Sequence, residues 1–248
     1  MQTNSHNSAH LDLHQNYLQP SSFFIPRSQR RRFFTRFTLM TLLGWVVGGV
    51  VSLAVESTLN GLASPIWQTL SSYLASIAFA VVFAADQALV LRPYLSGWLW
   101  MLATGVGWLI ANGVATSWSN YILSIAASLD ATSSSEAVFI LGFLSTISYV
   151  ISGIWLGLCQ WLVLRKHTTG AWWWNFLPAI SFFFISLLIW LLTLLQDFLP
   201  VAHRTSILYW SGQGFTAVIL GVIPAIALCT LKKKLHHKTQ VSSSFSIK

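Results

Sequence analysis

Charged side chains are scarce in this sequence, and their scarcity excludes an ordinary water-soluble domain. Only 8% of the 248 residues are Asp, Glu, Lys or Arg, whereas a typical soluble domain carries roughly 25%. Acidic residues are rarer still, with 6 of them against 14 Lys and Arg. Too few charges are present to coat a water-facing surface, so we expect lipid to cover much of the molecule.

Cysteine and the usual catalytic motifs are also in short supply. The two cysteines, Cys159 and Cys229, both lie inside apolar runs and offer no disulfide framework. The sequence has no H-E-x-x-H, no G-x-S-x-G and no glycine-rich phosphate loop followed by Lys. We therefore expect no enzymatic activity, no catalytic residue and no cofactor.

The histidines give little support to a metal site. Three of them are spaced to share one helix face, and two more are adjacent near the other end of the chain: His6, His10, His14, His236 and His237. No Cys or further His cluster completes a ligand set of the kind that zinc needs. We expect no bound metal.

Apolar and aromatic residues are abundant. They include 13 Trp and 16 Phe, the hydrophobic fraction is 54%, and the mean hydropathy is +0.63. A membrane-spanning helix needs about 20 apolar residues, and six runs meet that requirement: 37–55, 66–91, 95–116, 137–164, 172–195 and 207–231. The sequence thus predicts an all-α, polytopic transmembrane helical bundle of about six spans. Its domains would be a polar, then basic N-terminal tail (1–36), the spanning domain (37–231) and a basic C-terminal tail (232–248).

The basic residues predict the orientation of the six spans. A net charge of +8 would suggest nucleic-acid binding in a soluble protein. Here the cations cluster at the ends of apolar runs, so topology explains them and we expect no nucleic-acid partner. If six spans alternate in direction, all but Arg204 lie on one side, and the positive-inside rule makes that side cytoplasmic. These residues are Arg27, Arg30, Arg31, Arg32, Arg36, Arg92, Arg165, Lys166, Lys232, Lys233, Lys234, Lys238 and Lys248.

The predicted outer loop at 117–135 is the longest connection. Asn120, Ser124 and Ser128 recur every fourth residue, with apolar residues between them. This spacing favours a short amphipathic helix lying in the membrane interface.

An internal repeat links spans two and four. Span two contains A-x-x-x-A-x-x-Q-x-L-V-L-R from position 80, and span four contains G-x-x-x-G-x-x-Q-x-L-V-L-R from position 153. With one inserted residue, Trp98 and Trp100 align with Trp172 and Trp174. Span six retains only the small pair of the pattern. We interpret this as parallel hairpin repeats: two clear hairpins, and a decayed third formed by span six with span one.

The repeated element resembles one found in uncharacterised multi-pass membrane proteins of cyanobacteria and related bacteria. In these proteins a G-x-x-x-G-x-x-Q-x-x-x-L-R element recurs and tryptophan-rich helices follow. Gln87, Arg92, Gln160 and Arg165 match the element, whereas the first copy has Ala in place of both Gly. The resemblance covers roughly residues 80–174. It implies an architecture and a bacterial inner or thylakoid membrane, and it implies no molecular function.

Gln87 and Gln160 are the candidate ligand-binding residues. Each precedes its Arg by about 7.5 Å along a helix, so both amides would lie just inside the hydrocarbon, where an unpaired amide costs a few kcal/mol. One hypothesis is a site between the repeats for a small solute or ion, lined by both Gln and Asp86. The other is an interhelical hydrogen bond that serves packing alone. Arg92 and Arg165 are predicted cytoplasmic anchors, and Asp86 is predicted to pair with Arg92 or with another cytoplasmic cation.

Two functions remain open from the sequence. The first is a non-enzymatic scaffold or accessory subunit in the lipid bilayer that packs against other membrane proteins or against itself. It is motivated by abundant Trp, small-residue faces and almost no intramembrane charge. The second is a small-solute transporter or channel, motivated by parallel repeats with paired Gln.

Overall fold

The structure, a computed structural model, describes residues 23–61, 65–128, 135–195, 198, 200 and 203–234. The outer parts of both predicted tails, and with them the five histidines considered as metal ligands, lie outside the described residues. Six long helices make up most of the described chain: α1 (Arg30–Asn60), α2 (Pro65–Leu91), α3 (Gly97–Ser128), α4 (Ser135–Leu164), α5 (Leu177–Leu194) and α6 (Arg204–Thr230). A 3-10 helix, Ala171–Phe176, leads directly into α5.

The predicted all-α class is confirmed, as is the number of segments able to span a membrane. Among the described residues, six helical segments are long and apolar enough to cross a bilayer, the fifth being the 3-10 helix and α5 together. Each helix packs against the helices before and after it in the chain, and α6 packs against α1. The six helices therefore close into a ring.

One end of the ring collects the basic segments. Strand β1 (Thr168–Thr169), after α4, pairs antiparallel with strand β2 (Lys232–Lys233), after α6. The N-terminal segment joins them, because the Phe24 backbone N–H donates to the Leu231 carbonyl at 2.8 Å. The connection between α2 and α3 reaches the same end, where the Tyr94 hydroxyl lies 2.9 Å from Gln29 Oε1. We call this end of the bundle the basic end.

Side chains fill the interior of the ring in two layers. The layer nearer the basic end includes the fully buried rings of Phe37, Trp100 and Trp174. The second layer lies deeper and is centred on Phe83 and Trp108, with members drawn from α2, α3, α4, α5 and α6. Aromatic rings that meet edge to face account for much of this contact, an arrangement that their quadrupoles favour.

The N-terminal tail predicted over residues 1–36 differs in the structure, because its last residues are helical. Helix α1 begins at Arg30, within the predicted tail, so Arg30, Arg31, Arg32 and Arg36 are helical. Ahead of it, Phe24 and Ile25 are buried in the layer nearer the basic end. The apolar pair explains the difference: burying it removes hydrocarbon surface from water, and this favours an ordered segment.

The predicted interfacial helix of the outer loop is wrong for the residues that the structure describes. Helix α3 continues without interruption through Asn120 and Ser124 to Ser128. Ile122 is buried, and the Ser119 and Ser145 hydroxyl oxygens lie 3.2 Å apart between α3 and α4. No Gly or Pro interrupts residues 114–128, so backbone propensity favours continuation and contact with α4 fixes it. Residues 129–134 lie outside the described chain.

Candidate functional site

Gln160 lies at the centre of a buried hydrogen-bonded cluster near the basic end. The Trp174 indole N–H donates to Gln160 Oε1 at 3.0 Å, and Gln160 Nε2 donates to Thr104 Oγ1 at 3.1 Å. Trp174 and Thr104 are fully buried and the amide is nearly so. The indole reaches the amide because the chain turns back after α4 through β1 and the 3-10 helix. Both ends of the amide are therefore engaged by the protein itself.

Gln87 makes the same type of contact in the first copy. The Trp100 indole N–H donates to Gln87 Oε1 at 3.4 Å, which is longer than the usual range for such a bond. Gln87 is buried and Trp100 fully so. The equivalent bond in the second copy is shorter, at 3.0 Å rather than 3.4 Å. The first amide is thus held less firmly than the second.

Two indole rings connect the two amides. The Trp100 and Trp174 ring centroids are 6.1 Å apart with the planes inclined at 70°, an edge-to-face contact. We call the connected set formed by Gln87, Trp100, Thr104, Gln160 and Trp174 the Gln–Trp network. All its members are neutral, and none titrates near pH 7. The network can therefore hold helices together through hydrogen bonds, but it supplies no general acid or base.

The structure brings Gln87 and Gln160 into one network but leaves Asp86 out of it. The side chain of Asp86 packs against α1: a methyl group added at Gly44 would lie 2.6 Å from Asp86 Oδ2. The predicted pairing with Arg92 is wrong. No ion pair joins Asp86 to Arg92 or to another cation among the described residues, because Arg92 follows the end of α2 and is exposed at the basic end.

The predicted anchors, Arg92 and Arg165, both lie exposed at the basic end, directly after α2 and α4. The Arg165 guanidinium carbon lies 5.1 Å from the centre of the Trp161 ring, within the range of a cation–π contact. Both positions suit cations that remain in water beside a membrane boundary.

Sequence reasoning missed the indole partners of the amides. Trp100 and Trp174 follow their Gln by 13 and 14 residues, and this near-equal spacing is the signal that could have revealed them. A third indole–amide bond was also missed: Trp45 Nε1 on α1 donates to Gln213 Oε1 on α6 at 2.9 Å. It joins the first and last helices of the ring, and no sequence pattern near either residue predicts it.

Two open cavities in the described part of the chain lie away from the Gln–Trp network. Both are at the basic end of α1 and share Arg32 and Arg36. The first, of about 510 Å³, is also lined by Tyr94 and by apolar residues of α1 and α2. Neither is lined by Gln87, Gln160 or Asp86. Among the described residues, no group of three or more His, Cys, Asp or Glu is placed to hold a metal ion.

No family model, curated protein or solved structure matches the chain. Its function must therefore be argued from its own residues.

Proposed function

We propose that this chain is a non-enzymatic multi-pass membrane protein, a scaffold or accessory subunit that packs against other membrane proteins. The observation that carries the proposal is that side chains of the protein itself fill the interior of the ring. Two layers of side chains occupy the ring, and the buried amides of Gln87 and Gln160 are hydrogen-bonded to indoles of the same chain. A protein built in this way offers its outer surface, and not its centre, to a ligand or partner.

An exposed tryptophan at mid-depth supports a partner on that outer surface. Trp155 on α4 is 46% exposed, and it lies about 15 Å along the helix from Arg165. That is half the thickness of a hydrocarbon core of about 30 Å, whereas tryptophan is enriched at the two interfaces. Phe183 and Phe184 are exposed on the neighbouring α5. We propose that these aromatic residues of α4 and α5 pack against a helix of another membrane protein.

The proposal is tested by cross-linking in intact membranes, followed by purification in mild detergent. The wild type should retain one discrete partner in fixed ratio, and Trp155→Leu should reduce its recovery by about tenfold, as expected for a buried aromatic anchor. Trp172→Leu is the matched control, because Trp172 is exposed at the basic end, where an interfacial role suffices. Equal recovery with both variants would show that the face around Trp155 does not bind the partner.

A small-solute transporter or channel remains the alternative. Reconstitution of the purified protein in liposomes separates the two functions. The scaffold proposal would be replaced if the protein, purified without a partner, conducted a solute. Gln87→Leu together with Gln160→Leu should then abolish the flux.

We further propose that the ring consists of parallel hairpin repeats: α2 with α3, α4 with α5, and α6 with α1. Equivalent close approaches support this. A methyl group added at Gly157 would overlap the Asn175 backbone, and one added at Gly221 would lie 3.2 Å from Thr38 Cα. Asn175 and Thr38 occupy the same position when the copies are aligned on their small residues. The third hairpin therefore retains the packing of the second, although its Gln and Arg are lost.

The contacts between hairpins repeat as well. A methyl group at Gly44 would meet Asp86, and one at Gly107 would lie 3.0 Å from Cys159 Cβ. Asp86 and Cys159 each stand one residue before the Gln of their copy. The α1–α2 and α3–α4 interfaces thus use the same small position against the same partner position, which supports a symmetric ring with its axis along the membrane normal.

We propose that the basic end faces the cytoplasm of a bacterial cell, in the inner or the thylakoid membrane. The gathering of the cationic segments at this end supports the orientation. Single cysteines at Lys234 and Ser57, introduced after both native cysteines are replaced by Ala, test it with a membrane-impermeant thiol reagent. In intact cells the reagent should label Ser57→Cys and not Lys234→Cys. The reverse pattern would invert the topology.

A further inference from the structure

We propose that the cavity at the basic end of α1 and α2 is a binding site for one anionic phospholipid. Its phosphate would lie between Arg32 and Arg36, and an acyl chain would follow the apolar wall formed by Met40 and Leu89. The site goes beyond the scaffold proposal and requires only that the bundle lie in a bilayer.

The polar half of the cavity carries uncompensated positive charge. Arg32 and Arg36 are four residues apart on one helix, so their side chains are neighbours on one face, where like charges repel. Both are exposed, and no ion pair joins either to an acid among the described residues. A phosphate placed between the two guanidinium groups would relieve the repulsion and accept charge-assisted hydrogen bonds from both.

Neighbouring polar groups extend the charged half of the cavity. The Tyr94 hydroxyl and the Gln29 side chain line the same wall and are hydrogen-bonded to each other at 2.9 Å. Arg32 and Arg36 also line the second cavity, together with Arg31. Arg32 and Arg36 thus line both open cavities.

Two of the other nearby cations are already engaged. Arg30 and Arg27 lie over the Phe23 ring, with guanidinium carbons 4.3 and 5.2 Å from its centre. These contacts hold the N-terminal segment against α1. Arg32 and Arg36 make no such contact with a ring among the described residues, and Arg31 lines only the second cavity. Arg32 and Arg36 are therefore the cationic pair of the first cavity.

The remaining wall of the cavity is apolar and continues onto the lipid-facing surface. Met40 lies one turn beyond Arg36 on α1, and Leu89 on α2 is 60% exposed. Beyond the cavity, Leu43 and Val47 continue the exposed apolar surface of α1. A free phosphate or another small soluble anion would leave this wall uncovered, whereas the acyl chain of a phospholipid would cover it. The volume of about 510 Å³ lies within the range of roughly 300–1,000 Å³ that small-molecule sites occupy.

The experiment compares lipid retention by the purified full-length protein. Native mass spectrometry counts the lipids that remain bound after incubation with phosphatidylglycerol or phosphatidylcholine, and thermal unfolding in the same micelles reports stabilisation. The wild type should retain one phosphatidylglycerol and unfold at a higher temperature with it than with phosphatidylcholine. Arg32→Gln with Arg36→Gln should weaken retention by about tenfold or more.

A control variant that loses the same number of charges distinguishes a specific lipid site from general attraction of anionic lipid to the basic end. Arg165→Gln with Lys166→Gln removes two exposed cations from the same end of the bundle but outside both cavities, and it should retain lipid as the wild type does. Equal loss in both double variants would overturn the proposal, because it would show diffuse attraction to the basic end.

Two further arms test the acyl-chain half of the site. Leu89→Trp keeps every charge, changes a residue that is 60% exposed, and should reduce phosphatidylglycerol retention by narrowing the apolar wall. Unchanged retention in this variant would show that the acyl chain does not lie on the wall formed by Met40 and Leu89. Inorganic phosphate added alone should not raise the unfolding temperature. If phosphate stabilised the protein as much as phosphatidylglycerol does, the cavity would be a site for small anions, and the proposal of a lipid site would be overturned. Neither result depends on whether a protein partner is found.

Discussion

The α2–α3 and α4–α5 hairpins place Gln and Trp in the same arrangement but differ in the size of their small residues and in the length of the indole–amide bond. In each, the first Trp after the turn is exposed to a similar degree, 63% for Trp98 and 65% for Trp172, and the Trp two residues later is fully buried on a Gln. The α2–α3 hairpin has Ala at both small positions and a long indole–amide bond of 3.4 Å. The α4–α5 hairpin has Gly at both and a bond of 3.0 Å.

The size of the small residues accounts for the difference in closure. At Gly153 an added methyl group would lie 2.7 Å from the Ala179 backbone nitrogen, closer than packed atoms can lie. In the α2–α3 hairpin the methyl group of Ala80 is present and the facing residue is Gly105, so the small residue has moved to the opposite helix. Backbone approach in a membrane bundle is limited by such residues. The indole–amide bond is therefore shorter where the glycines lie under the returning chain.

The largest expected effect is on the tighter hairpin. Gly157→Ala places a methyl group against the Asn175 backbone, and overpacking of this kind costs roughly 1–3 kcal/mol. We expect the unfolding temperature in detergent to fall by about 5 °C or more. Gly142→Ala, in the same helix with open space around it, is the control and should be neutral or slightly stabilising. A smaller loss for Gly157→Ala than for Gly142→Ala would refute the close approach.

The next effect separates the two amides. Gln160→Leu leaves the Trp174 indole N–H and the Thr104 hydroxyl without their partner, whereas Gln87→Leu removes one long bond. Since an unsatisfied buried donor costs about 1–3 kcal/mol, we expect Gln160→Leu to lower the unfolding temperature by about twice as much as Gln87→Leu. Adding Trp174→Phe to Gln160→Leu should restore part of the loss. Equal losses from the two single variants would mean that the distances do not reflect bond strength.

A smaller effect is expected from exchanging the residue before each Gln. Asp86→Cys introduces the residue of the α4–α5 hairpin and removes a carboxylate that has no cationic partner among the described residues. Carboxylates within a span are costly, so the unfolding temperature should rise by about 2–4 °C. Cys159→Asp, the reciprocal change, should lower it. A fall on Asp86→Cys would show that the carboxylate stabilises the fold by a contact that its present surroundings do not reveal.

The smallest effect concerns the α2–α3 connection, where the other hairpin has no tyrosine. Burial is the largest influence on the pKa of Tyr94 and raises it above the ordinary value of 10.0, outweighing the opposing effect of Arg36 and Arg32. A raised pKa favours the neutral hydroxyl in the folded state. The contribution to stability is therefore complete below pH 10.0 and is lost as the pH rises through the folded-state value. Tyr94→Phe should show a shallower loss of stability than the wild type between about pH 9.5 and 11; parallel curves would exclude this contribution.

Much of the fold follows from the sequence because membrane spans are specified by long apolar runs. Six runs gave six helices, and the terminal differences are informative. The first apolar run begins at Phe37, whereas helix α1 begins at Arg30, because charged residues continue a helix readily once it leaves the hydrocarbon. Only the amides of the candidate site could be predicted from the sequence. Gln87 and Gln160 stood out as amides in apolar runs, but their partners come from the next helix and depend on how far the chain turns back.

By itself, the sequence determined the number of helices able to span a membrane, the basic end and the small-residue positions, because apolar length, charge placement and small-residue spacing are local properties. Tertiary structure decided what those positions contact. It joined Gln160 to Trp174 and Thr104, turned Asp86 toward Gly44, and linked Trp45 with Gln213 across the closure of the ring. These pairings follow from the rotation of each helix about its axis. That rotation is fixed only when all six helices pack together, since a surrounding lipid phase would favour no outer side over another.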